Sequence, residues 1–140
     1  NIKLMVSRLM EKSFKQPIKM LRLHGHGMPG LQSVSAGQGI LKPELSTVIS
    51  TDDFKAIQND LSRLKGYFSM AGEVFLMGCY VADGEKGKKL LQGLANLWRV
   101  PVTGGVKKQW GCMPGQGVEK ELCTAYNTTH EGPTETARPK

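Results

Sequence analysis

The chain has 140 residues, enough for one domain with a core of its own, and its 39% hydrophobic and 22% charged residues are an ordinary globular balance. It holds no run of about 18 apolar residues, which excludes a membrane-spanning helix. The net charge of +7 invites phosphate binding, but the positives are scattered over Lys12 and Lys15, Lys86 to Lys89, and Lys107 with Lys108, so a basic nucleic-acid-binding domain ranks only third among the readings.

The predicted elements begin with a helix over residues 2–14, where Ile2, Met5, Val6, Leu9, Met10 and Phe14 recur at helical spacing. Lys3, Arg8, Glu11 and Lys12 interrupt it too often for a signal peptide, and the compartment is left open. Gln16-Pro17 stops the helix, because a residue before proline avoids helical angles. An apolar strand over residues 18–24 follows and ends in Gly25-His26-Gly27-Met28-Pro29-Gly30, a turn-forming cluster. Residues 31–50 read as a loose hairpin with Val34 and Ile40 inward. A second helix starts at Thr51, Asp52 and Asp53, whose oxygens can cap it, and carries Phe54, Ile57, Leu61 and Leu64 as one stripe up to Gly66.

Residues 73–79 (EVFLMGC) are nearly continuous in apolar character, as a buried parallel strand requires. A third helix over residues 84–99 places Leu90, Leu91, Leu94, Leu97 and Trp98 inward, and residues 100–103 form a short strand. This alternation predicts an α/β fold with a parallel sheet and right-handed crossovers. A single domain is expected over residues 1–130, and residues 131–140 are expected to be a flexible tail.

Ligands of open α/β sheets gather beyond the carboxyl ends of the strands. His26 and Cys79 each follow such an end, so neighbouring strands would bring an imidazole and a thiol together. A thiolate attacks and an imidazole carries the proton. Backbone N–H groups of Gly27 and Cys79 are placed to receive an oxyanion. His24 lies within the predicted strand and is read as structural. With His26 it could begin a zinc site, but Cys112, Cys123 and His130 lack finger-like spacing, so no metal is expected. The stretch Gly87-Lys88-Lys89 fails as a phosphate loop, since Ala82 stands at the first glycine position and Lys89 at the Ser/Thr position. No cofactor is implied. Of the three cysteines, Cys112 and Cys123 could pair and leave Cys79 free, or all three could be reduced.

The order apolar strand, His26-Gly27-x-x-Gly30, then a second apolar strand ending in Gly78-Cys79, resembles the two motifs of caspase-like (clan CD) cysteine peptidases. The stretch MGCYVADGEKGKKLLQGLANLWRVPVTGG is similar to the caspase-like domains of large bacterial surface and secreted proteins. The resemblance covers residues 18–105. It implies a three-layer caspase-like sandwich and an endopeptidase in which Cys79 is the nucleophile and His26 the general acid/base. Gly27 and Cys79 supply the oxyanion-hole N–H groups. The substrate would be a peptide or protein, including the parent chain, cut after a chosen Asp, Asn, Arg or Lys. Family members carry one or two further strands before the histidine strand, so the sheet is expected to lack its N-terminal strands and to be completed by a partner chain or the rest of a longer one. A catalytically inactive caspase-like interaction module is the alternative.

Overall fold

The computed structural model describes residues 1–34, 47–109 and 129–140. Their elements run α1 (Ile2–Lys12), β1 (Ile18–Leu23), β2 (Gly27–Met28), β3 (Leu31–Ser33), β4 (Val48–Ser50), α2 (Phe54–Ser62), β5 (Phe68–Leu76), α3 (Gly84–Trp98), β6 (Val102–Gly105) and β7 (Thr134–Ala137). The architecture is mixed α/β, a mostly parallel sheet flanked by helices, and is compatible with a three-layer α/β sandwich.

Four strands form the main sheet in the order β1-β5-β6-β7. β1, β5 and β6 are parallel, with Leu21 opposite Val74, Leu23 opposite Leu76, and Val74 opposite Val102. Those pairs put Leu21, Leu23, Val74, Leu76 and Val102 on one face, and all five are buried in the core. The opposite face carries exposed Arg22 and Glu73 with half-buried Phe75 and Thr103. β2, β3 and β4 make a separate antiparallel sheet of three strands beside the carboxyl ends of β1 and β5.

Helix α1 is capped by the Asn1 side chain, which accepts the Leu4 N–H at 2.9 Å. It ends at Lys12, so Phe14 falls outside the predicted stripe and is 81% exposed. The expected hairpin is present as β3 and β4, with Val34 against the core. Ile40 lies outside the described residues. The polar residues before α2 do not cap it as expected. Instead the Thr51 hydroxyl donates to the Lys86 carbonyl at 2.7 Å and Asp52 meets the Lys86 ammonium at 3.0 Å. They tie the entry of α2 to the first turn of α3. The N–H of Asp53 is met by the Ser50 hydroxyl at 3.2 Å. Further along, the buried Trp98 indole donates to the Leu61 carbonyl at 2.8 Å, which locks α3 onto α2.

Residues 134–137 correct the expected flexible tail. They form β7, antiparallel to β6, with Thr103 opposite Thr136 and Val102 opposite Ala137. Beyond the strand, the Gln92 amide donates to the Arg138 carbonyl at 2.8 Å and the Arg99 guanidinium to the Lys140 carbonyl at 2.8 Å. An edge strand held by main-chain bonds and exposed threonines has no apolar period to announce it.

The core predicts its own sensitivity. Leu94 is fully buried between α3 and the rest of the cluster, so Leu94→Ala is expected to cost about 2–5 kcal/mol through lost transfer energy and a cavity. Equilibrium denaturation in urea measures this, and an unchanged midpoint would show that α3 does not form this core.

Candidate active site

β1 and β5 stop side by side. Leu23 and Leu76 are their last pair, and the Met77 N–H makes one more bond to the Leu23 carbonyl at 2.9 Å. Both chains then leave the sheet at the same edge because the strands are parallel. β1 continues through His24, Gly25 and His26 into β2, and β5 continues through Met77, Gly78 and Cys79 into a turn. Cys79 therefore sits three positions past its strand rather than within it, and His24 lies just beyond β1.

The two departing segments touch backbone to backbone. A Cβ on Gly78 would lie 2.9 Å from Gly27 Cα, and a Cβ on Gly27 would lie 2.9 Å from Cys79 N and 2.8 Å from Cys79 O. Only two glycines allow that approach. Gln32 secures it. Its side chain is fully buried, its Oε1 accepts the Gly78 N–H at 2.8 Å, and its Nε2 donates to the Ser33 carbonyl at 2.9 Å. The Ser33 N–H in turn donates to the His26 carbonyl at 2.9 Å. One carboxamide thus joins the hairpin behind His26 to the peptide before Cys79. Gln32 belongs to no motif, and a lone Gln between Leu31 and Ser33 gives no signal in the sequence.

Cys79 is half-buried and its thiol is free. The Gln109 N–H donates to Sγ at 3.3 Å, and the thiol donates to the Gln109 carbonyl at 3.4 Å. Among the described residues, the Cys79 N–H makes no hydrogen bond. Tyr80, next in the chain, adopts the left-handed region at φ 58°, so the turn is strained at the residue after the thiol. The turn is pinned to the continuation of β6, with the Tyr80 N–H on the Lys107 carbonyl and the Ala82 N–H on the Gly105 carbonyl, each at 3.0 Å.

The three histidines occupy different settings. His26 is exposed and flanks the Gly27 contact. His24 is half-buried, and burial, with Arg22 nearby, lowers its pKa from the ordinary imidazole value. His130, by sequence only a candidate metal ligand, lies at the same sheet edge. Its Nε2 is 2.8 Å from the Leu76 carbonyl, and since a carbonyl only accepts, that nitrogen carries the proton. Among the described residues no group of three or more His, Cys, Asp or Glu is arranged to hold a metal ion. Cys112 and Cys123 lie outside the described residues. No described helix is long and apolar enough to cross a membrane.

A family model described as a domain of unknown function (DUF4347) matches residues 3–111, most of the chain, and the chain belongs to that family. No curated protein and no solved structure matches it.

Two consequences of this geometry are measurable. Gln32→Leu strips the Gly78 N–H of its acceptor and is expected to cost about 1–3 kcal/mol, the penalty of an unpaired buried donor; denaturation in urea reads it, and a neutral variant would mean that the carboxamide does not join the two segments. The lowered pKa of His24 means that the unfolded chain binds a proton more readily than the native one. His24 therefore stabilises fully above its ordinary value of 6.5 and progressively less as pH falls below it. His24→Asn should flatten the fall in stability between about pH 7 and pH 5, and identical slopes in the two proteins would contradict this.

Proposed function

We propose that this member of the DUF4347 family is a cysteine endopeptidase of caspase-like fold, with Cys79 as nucleophile and His26 as proton carrier. The observation that carries the reading is the backbone contact between Gly27 and Gly78-Cys79, which holds the His26 and Cys79 segments together at one sheet edge. Thiol catalysis needs a sulfur, a nearby imidazole and N–H donors, and the two segments in contact carry residues of those types.

In the proposed reaction the Cys79 thiol gives its proton to His26 and Sγ attacks the carbonyl carbon of a peptide bond. The C=O electron pair moves to oxygen, and that oxyanion is received by the Cys79 N–H with the Gly27 N–H. When the tetrahedral species collapses, the C–N bond breaks and the imidazolium delivers its proton to the departing amine. An acyl-enzyme on Cys79 remains. Water then attacks it, with His26 accepting the water proton and returning one to sulfur as the acid leaves. The side chain preceding the cut bond is read by groups that the motifs do not assign.

A second reading, a catalytically inactive caspase-like interaction module, is favoured by one observation. Both main-chain polar atoms of Gln109 engage Sγ. Activity separates the two readings. The peptidase reading expects hydrolysis of a panel of peptides bearing Asp, Asn, Arg or Lys before the cut. It also expects Cys79→Ala to abolish both hydrolysis and labelling by a thiol-reactive peptide probe. Undiminished hydrolysis in Cys79→Ala would overturn it, and a chain that hydrolyses none of the panel even when Gln109→Ala removes the contact over the sulfur would favour the interaction module.

A further inference from the structure

From Gly105, the end of β6, residues 106–109 continue along the turn that carries Cys79. We propose that this segment is an autoinhibitory strap, with Gln109 as its latch, that keeps the thiol covered until it is displaced. The inference rests on the peptidase reading for its purpose, though not for its geometry.

Three observations support it. First, the Gln109 peptide sits on the sulfur, its N at 3.3 Å and its O at 3.4 Å. A carbonyl carbon about to be attacked needs to approach to about 3–3.5 Å, the same shell around Sγ. A substrate approaching from that side and the strap exclude each other. Second, the contact to the Gln109 carbonyl uses the thiol proton, because a carbonyl oxygen offers no hydrogen. The Gln109 peptide thus meets the sulfur with both of its polar atoms, one accepting from the thiol and one donating to it.

Third, the latch is built rather than incidental. The Gln109 Nε2 donates to the Lys107 carbonyl and to the Glu131 carbonyl, each at 3.0 Å, and its Oε1 accepts the Glu131 N–H at 2.8 Å. One carboxamide pairs with the main chain at Glu131 as a strand would. The strap is held at its other end by the bonds from Tyr80 and Ala82 to the Lys107 and Gly105 carbonyls. Gly105 leaves the room required, since a Cβ there would collide with the Gln109 Nε2 and approach His130 Cδ2 to 3.3 Å. The three bonds of the Gln109 side chain are exposed, and local opening there needs no global unfolding.

The test is the rate at which iodoacetamide alkylates Cys79 in the full chain. Peptide mapping by mass spectrometry separates Cys79 from Cys112 and Cys123. In the wild-type chain Cys79 should react well below its rate in the urea-unfolded chain. Gln109→Ala removes all three side-chain bonds and should speed alkylation by about tenfold or more, the scale of one or two lost hydrogen bonds. Gln109→Glu, which preserves shape and loses both Nε2 bonds, should also speed it and serves if the alanine variant does not fold. Glu131→Ala keeps the main-chain groups that the latch uses and should leave the rate unchanged.

A wild-type Cys79 that reacts as fast as in the unfolded chain overturns the proposal. So do folded Gln109 variants with unaltered rates. Peptide hydrolysis by the same samples keeps the two ideas apart. Faster alkylation without hydrolysis upholds the strap and removes the peptidase reading, whereas hydrolysis by wild type with no acceleration in the variants removes the strap alone.

Discussion

The site depends on one short contact, the meeting of the Gly27 and Gly78 backbones just beyond the sheet. Parallel pairing of β1 with β5 ends both strands at Leu23 and Leu76, so the segments that follow emerge side by side. Emerging together would not keep them together. The missing side chains at two positions let the peptides touch, and the buried Gln32 carboxamide supplies the hydrogen bond that makes the contact specific. A buried amide that satisfies both its donor and its acceptor groups fixes one arrangement, because any shift strands a polar atom in the interior.

The rest of the fold holds that edge still. The apolar face of the sheet packs into the cluster that includes Leu61, Leu90, Leu94 and Trp98 from α2 and α3. The loop before α2 is fastened to α3 through Thr51 and Asp52 on Lys86. These polar ties are exposed and individually weak, so the buried Trp98–Leu61 bond and the packing around it carry more of the stability. The energetic weight lies in the core and the chemical groups lie at its rim, which suits a site that must be rigid at its base and open above.

Cys79 itself sits between two demands. The strained backbone at Tyr80, and a Cys79 N–H unengaged among the described residues, fit a residue presented for reaction. The Gln109 peptide against its sulfur fits a residue held in reserve. Both follow from the same feature, the continuation of β6 along the turn, since the segment that orients the turn also reaches the thiol. Regulation at such a place needs only a local rearrangement of a few surface bonds.

The sequence by itself determined the alternation of helices with parallel strands from residue 18 to residue 103 and the placing of His26 and Cys79 at the carboxyl ends of two of those strands. These are legible because apolar periodicity and glycine clusters are local properties of the chain. It misread Phe14, the cap of α2 and residues 134–137, where the deciding partners are distant in sequence. Only the tertiary structure decided that Gln32 bridges the two segments and that Gln109 covers the sulfur. A glutamine has no pattern that announces a role, for its meaning is set by which main-chain groups the fold brings within reach. β7 teaches the same lesson at the level of the backbone. Its pairing with β6 is a ladder of peptide bonds, and peptide bonds are the one feature that every residue in the sequence shares.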